Sequence, residues 1–199
     1  MKTPAPPTSH SRQGFTLVEL LVVIGVMAVV ATIIGVGLSR GGDGASLTAA
    51  QNMVMSQFAA TRAQAALRGE NAALVVVDDA TAPASSRRVL GVAVEDEGGW
   101  QLIADSVRLP GTVGVVDLEA DTSLWQETLA VVLEVGEATT NCRAIEIAPN
   151  GSLDVAGGGE LWLSLGQPSA TGWQPLSDAP RRSIRVSRYG AMQPIEEET

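Results

Sequence analysis

Cysteine, histidine and lysine each occur once in this 199-residue chain, as Cys142, His10 and Lys2. A lone cysteine excludes an internal disulfide and a cysteine-based zinc site. A lone histidine, set in an N-terminal run rich in proline, serine and threonine, excludes imidazole-driven triads and histidine metal clusters. Positive charge is scarce: 13 Lys and Arg stand against 22 Asp and Glu, a formal net charge of −9. That balance argues against a general electrostatic grip on nucleic acid, which needs cations clustered along a phosphate backbone. The length suits one membrane or targeting element plus one domain of ordinary size.

What is present first is a polar start and then an abrupt apolar run. Residues 1–14 carry Lys2 and Arg12, and three prolines (Pro4, Pro6 and Pro7) that oppose helix. Residues 15–38 form 24 positions with a single charge, Glu19. At about 1.5 Å per residue a helix of that length spans a hydrocarbon core of roughly 30 Å with room to tilt. A secretory signal peptide has a shorter apolar region and a small-residue cut after it. Here the small residue, Gly14, stands before the run, so a cut there leaves the helix on the mature chain. Lys2 and Arg12 before the helix, against Arg40 and Asp43 after it, place the tail in the cytoplasm and the rest outside.

Glu19 is the informative residue, because a carboxylate near the start of a lipid-embedded helix is costly without a dedicated partner. A cut after Gly14 creates an α-amine on Phe15 one helical turn away. Among parallel helices, Glu19 of one subunit then neutralises that amine on its neighbour. The plainer reading is a glutamate that snorkels to the interface.

The run Gly14-Phe15-Thr16-Leu17-Val18-Glu19-Leu20-Leu21-Val22-Val23-Ile24 resembles the processing and helix motif of type IV pilins and type II secretion pseudopilins. The resemblance implies cleavage between Gly14 and Phe15 by a prepilin peptidase, methylation of the Phe15 amine, and docking guided by Glu19. It makes the chain a substrate and filament component rather than an enzyme, with other pseudopilins and the prepilin peptidase/methyltransferase as partners and the inner membrane as its location. Gly25, Ala28, Ala31, Gly35 and Gly37 are small residues that allow close helix approach.

Beyond the membrane segment, Gly41, Gly42 and Gly44 predict a break over residues 39–44. A helix is expected over 45–68, with Gly69 as its C-terminal cap. Leu47, Ala50, Val54, Phe58 and Ala65 recur at helical spacing, so that face is expected to pack on a globular domain, with Met53 and Met55 as core contacts. Strands are expected at 74–77, 89–94, 100–109, 112–118, 129–135, 144–148, 160–165 and 183–190. Asn150-Gly151 marks a tight turn between Ile145/Ile147 and Leu153/Val155. The expected fold class is α+β: a long N-terminal helix, transmembrane in its first half, then an antiparallel β-sheet or β-sandwich domain over 45–199. Its β-rich part covers 72–190, and an acidic tail, 191–199, closes the chain.

Arg62-Ala-Gln-Ala-Ala-Leu-Arg68, Leu109-Pro110-Gly111 and Ile184-Arg185-Val186-Ser187-Arg188-Tyr189-Gly190 resemble the minor pseudopilin H domain. That domain is shared with a minor pilin of the competence apparatus. The implied role is a minor pseudopilin of a type II secretion apparatus, its domain in the periplasm; the alternative is a DNA-uptake pilin.

The remaining polar groupings have plainer readings beside their chemical ones. Asp117, Glu119 and Asp121, like the pair Asp78 and Asp79, suggest calcium, which the major pseudopilins bind through a loop. Calcium needs six to eight oxygens, and no EF-hand spacing is present, so a solvated acidic face is the stronger reading and no metal or cofactor is expected. Glu95-Asp96-Glu97 reads as an exposed turn. Gly157-Gly158-Gly159 lacks the Lys-Ser/Thr of a phosphate loop. Arg181, Arg182, Arg185 and Arg188 are the basic cluster; arginines near the C-terminus contact DNA in the competence-type relative. Strand alternation separates Arg185 from Arg182 and Arg188. Glu196, Glu197 and Glu198 follow within about a Debye length and offset the cluster, so nucleic acid is not the expected partner. Cys142 reads as a small apolar side chain.

Overall fold

The computed structural model describes residues 17–97, 99–103, 105–116, 124–125, 127–132, 139–153, 158–170 and 172–195. The chain divides between Gly41 and Gly42 into two compact units. In the second unit helix α1 covers residues 42–68, and the glycine-rich stretch 39–44 is where a break is expected. The unit boundary falls within that same stretch.

From Gly42 onward the packing of α1 follows its sequence period. Leu47, Ala50, Val54, Phe58 and Ala65 are all at most 1% exposed, the face expected from helical spacing. Met53 and Met55 pack beside them at the edge of the core. Gln51 and Thr61 are buried with them, each with a backbone partner: Gln51 Nε2 donates to Ser183 O at 3.0 Å, and Thr61 Oγ1 to Gln57 O at 2.8 Å. Gly69 ends the helix at φ 70°, its N–H donating to Ala65 O at 2.9 Å, as a left-handed cap does.

Among the described residues eleven strands follow: β1 Ala72–Val77, β2 Val89–Asp96, β3 Gly99–Leu102, β4 Val107–Arg108, β5 Val113–Val116, β6 Glu127–Val132, β7 Thr139–Ile147, β8 Gly159–Ser169, β9 Gly172–Pro175, β10 Arg181–Val186 and β11 Met192–Ile195. Six make one sheet in the order β1-β7-β6-β3-β2-β4, in which β2 also returns to pair with β1. The sheet therefore curls round on itself; its pairings are antiparallel except β3 with β6, which are parallel. The second sheet has the order β11-β10-β8-β5, with β9 on the far end of β8. The fold is thus mostly β, with one helical stretch, 42–68, packed against it.

The curl explains why β1 and β2 show no polar alternation. Ala73, Val75 and Val77 face inward with Val89, Ala93, Val131, Cys142 and Ala144. Ala72, Leu74 and Val76 face outward into the main core, with Leu90, Val94, Ile145 and Ile147, and meet α1, β5, β8 and β10 there. All six residues of β1 are buried because each of its faces has an apolar partner.

Several local expectations change in detail. The expected strand 100–109 is two strands, β3 and β4, each paired with β2. β10 stops at Val186, and residues 187–190 turn instead, with Gly190 N–H donating to Ser187 O at 2.8 Å. At Asn150-Gly151 the turn is present but has three loop residues rather than two. Gly151 N–H donates to Ala148 O at 2.8 Å, Ala148 N–H donates to Ser152 O at 2.9 Å, and Gly151 takes φ 79°. A type I turn led by Pro149 and closed by a glycine bulge fits those bonds, and Ile147 bridges Leu153 as expected.

Candidate functional site

The expected processing residues Gly14 and Phe15 lie outside the described residues, as do Asp117, Glu119, Asp121, Gly157 and Glu196 to Glu198. Glu19, Gly25, Ala28, Ala31, Gly35 and Gly37 belong to the first unit, and their side chains also lie outside what is described. Among the described residues no helix is long and apolar enough to cross a membrane.

The basic cluster is described in full. Arg181 and Arg185 share one face of β10 with Ser183, while Arg182 lies on the other with Ile184 and Val186. Arg185 stands opposite Glu160 in the ladder and donates through Nε and Nη2 to Glu160 Oε1, at 3.1 and 2.8 Å. Arg188 is beyond the strand end, in the turn, with its guanidinium 5.4 Å from the Tyr189 ring centroid. Arg181 and Arg182 have interaction partners as well. The four arginines therefore form no single bare cationic face.

Two segments singled out in the sequence meet at Arg62. Its Nη1 donates to Gly190 O at 3.0 Å, which ties α1 to the turn after β10. Gly190, at φ 73°, has no room for a side chain: a Cβ there would lie 2.9 Å from Arg62 Nε. A Cβ on Gly151 would lie 3.0 Å from Arg62 Nη2, so one guanidinium rests against two glycine turns. The spacing of Arg62 marks only a helix position, so this clamp is invisible before the hairpins are placed.

The acidic pair is occupied by local bonds. Asp78 bridges Arg87 and Arg143, both at 3.3 Å. Asp79 accepts from Thr81 Oγ1 at 2.6 Å, Thr81 N–H at 2.8 Å and Asn141 N–H at 3.3 Å, and those bonds hold its carboxyl below the ordinary value. Arg87 takes φ 59°, unusual for a residue with a side chain, between an N–H given to Val77 O and a carbonyl accepting from Val115 N–H. It joins the two sheets. Among the described residues no three His, Cys, Asp or Glu side chains converge as metal ligands. Glu95 and Asp96 are exposed but belong to the end of β2 rather than a turn. Cys142 is fully buried on the inner face, where desolvation first, then the charges of Asp79 and Asp78, push its thiol up to about 12. It packs as a small apolar side chain.

The comparisons with known proteins bear on the N-terminus. No curated protein and no solved structure gives a significant match. Residues 9–35 match the prokaryotic N-terminal methylation motif, the type IV pilin-like prepilin signal, and this supports a protein of the pilin or pseudopilin type.

Proposed function

We propose that this chain is a minor pseudopilin of a type II secretion apparatus, a structural subunit without catalytic activity of its own. The observation that carries the reading is the methylation motif over 9–35, with Gly14 before Phe15 and Glu19 one turn into the helix. A prepilin peptidase cuts before Phe15 and methylates its amine. The apolar helix then leaves the inner membrane as it joins sister subunits, and the β domain stays on the periplasmic side. Small residues Gly25, Ala28, Ala31 and Gly35 let neighbouring helices approach closely. The packing of Arg185 on Glu160 and Arg188 on Tyr189 favours this reading over DNA uptake, because neither guanidinium is held out for phosphate alone. The exposure of Arg181, Arg185 and Arg188 is what keeps a competence-type minor pilin as the second reading.

Replacing the native gene by Glu19→Leu tests both readings in one strain. Mature, cleaved protein should persist in the membrane, because the cut lies outside the helix. Secretion of a type II reporter and crosslinking to sister subunits should fall, because the Phe15 amine enters the helix bundle unpaired, at a cost of several kcal/mol. Unchanged secretion together with lost transformation by free DNA would move the chain to the competence apparatus.

A further inference from the structure

The inner face of the curled sheet is filled along most of its length but not at one end. That end is where β1 finishes, β2 begins and the start of β7 passes, and a cavity of about 370 Å³ opens there. Volumes of this size are typical of small-molecule sites, which recur at the mouths of curled and closed sheets.

Register assigns the lining. Val77 stands opposite Cys142 and faces inward with it, and Thr140, two residues before Cys142 on β7, shares that face. Val89 is inward too, and Arg108 is its direct partner across the β2–β4 ladder, so the Arg108 side chain lies on the same inner side. Ala82 and Ser85, from the loop between β1 and β2, complete the rim. The floor is apolar (Val77, Val89 and Ala82), and one cation stands at the edge.

Arg108 has donors to spare. Its Nη1 donates to Ala84 O at 2.6 Å and its Nη2 to Ser85 Oγ at 3.4 Å, two of the five N–H groups a guanidinium offers. Among the described residues no carboxylate pairs with it. Arg88 is its neighbour, bonded through Nη2 to Gly111 O, with a buried Nε that has no partner. Burial first, and then the charge of Arg108, lower the pKa of Arg88, so the two cations stand close to one another. Two described carboxylates near this end are already held: Asp78 by Arg87 and Arg143, and Asp79 by Thr81 and Asn141.

The geometry points to a binding site at this open end for a small carboxylate carrying a short aliphatic group. The carboxylate lies on Arg108 and the aliphatic group on Val77 and Val89. A planar guanidinium fork matches a carboxylate in two-point contact. A phosphate monoester suits the site less, since a larger, doubly charged group would face an apolar floor. Two sources share the chemistry: the C-terminus of an apolar peptide, and a short fatty acid.

Methyl-labelled full-length protein in detergent, titrated with N-acetylleucine, N-acetylleucine amide and hexanoate, tests the site by NMR. N-acetylleucine or hexanoate should shift the methyls of Val77 and Val89 saturably, and the tighter of the two identifies the source. The amide should bind at least about tenfold more weakly, the loss expected of a charge-assisted hydrogen bond. Arg108→Gln should weaken the carboxylates by a similar factor, with Arg108→Lys between the two. Equal binding of acid and amide to the unaltered protein, or no saturable shift with either acid, overturns the proposal without reliance on a variant that folds. Undiminished carboxylate binding in a folded Arg108→Gln does the same.

Discussion

The two sheets solve the same edge problem in different ways. The curled sheet brings β2 back to β1, so its central strands hide both faces; its fully buried inner side chains are small (alanine, valine and one cysteine), with Trp100, Leu102 and Leu129 partly buried beside them. The second sheet keeps one face on the main core and turns charge on the other to solvent, with Arg185 and Glu160 paired across strands. It packs tightly through a different device. Trp173 on β9 lies over Gly166 and Gly114, its Nε1 donating to Thr112 O at 3.2 Å, and a Cβ on those glycines would stand 2.2 and 2.7 Å from the indole. Closure round β1 and β2 lets mainly small residues fill one interior, while the second sheet needs glycine to admit a large ring.

The contrast is sharpest at Cys142. A thiol with its pKa pushed up to about 12 holds roughly a thousandfold less thiolate at pH 8 than a free cysteine. Iodoacetamide should therefore spare native Cys142 and label it promptly in urea; fast native labelling would mean that the curled interior opens readily. Phe58→Ala removes one of the largest fully buried side chains of the main core, and should destabilise by about 3–5 kcal/mol in urea unfolding. A loss much smaller than that separates the helix from the core.

Two glycine variants compare the sheets directly. At Gly166 a new Cβ would meet the Trp173 ring at 2.2 Å and Gln174 O at 2.3 Å, and backbone cannot step aside. Gly166→Ala should lose about 3 kcal/mol or more, with changed Trp173 fluorescence. At Gly91, inside the curl, the nearest atom is Leu102 Cδ1 at 2.5 Å, the end of a flexible side chain. Gly91→Ala should lose about 1 kcal/mol. Equal losses would show the curled interior to be as unyielding as the Trp173 contact. Arg185→Ala should change stability by less than about 1 kcal/mol, since the Arg185 side chain is 62% exposed and its pair with Glu160 is screened from that side; a larger loss in low salt alone would mark a field effect of the whole arginine group.

Local period reports local burial. The five apolar positions of α1 and its glycine cap follow from spacing that a single helix imposes on itself. β9 and β11 left no such trace. Gly172-Trp173-Gln174-Pro175 and Met192-Gln193-Pro194-Ile195 are short, proline-bearing edge strands without alternation, recognisable only once β8 and β10 stand beside them. The expected strand 100–109 was divided for a similar reason: the ladder positions of β3 and β4 both depend on β2.

The sequence by itself determined the apolar N-terminal run with its single carboxylate, the processing motif, the helix face over 45–68, the turn at Asn150-Gly151 and the predominance of strands. Each of these rests on residues within a few positions of one another, where hydropathy, backbone freedom and charge act directly. Only the tertiary structure decided that β2 returns to β1, that Arg62 clamps turns at Gly151 and Gly190, and that Arg108 stands beside Val89 over an open apolar floor. Those depend on register between strands far apart in the chain, and a strand carries no local mark of the partner it will meet or of which of its faces a curl will enclose.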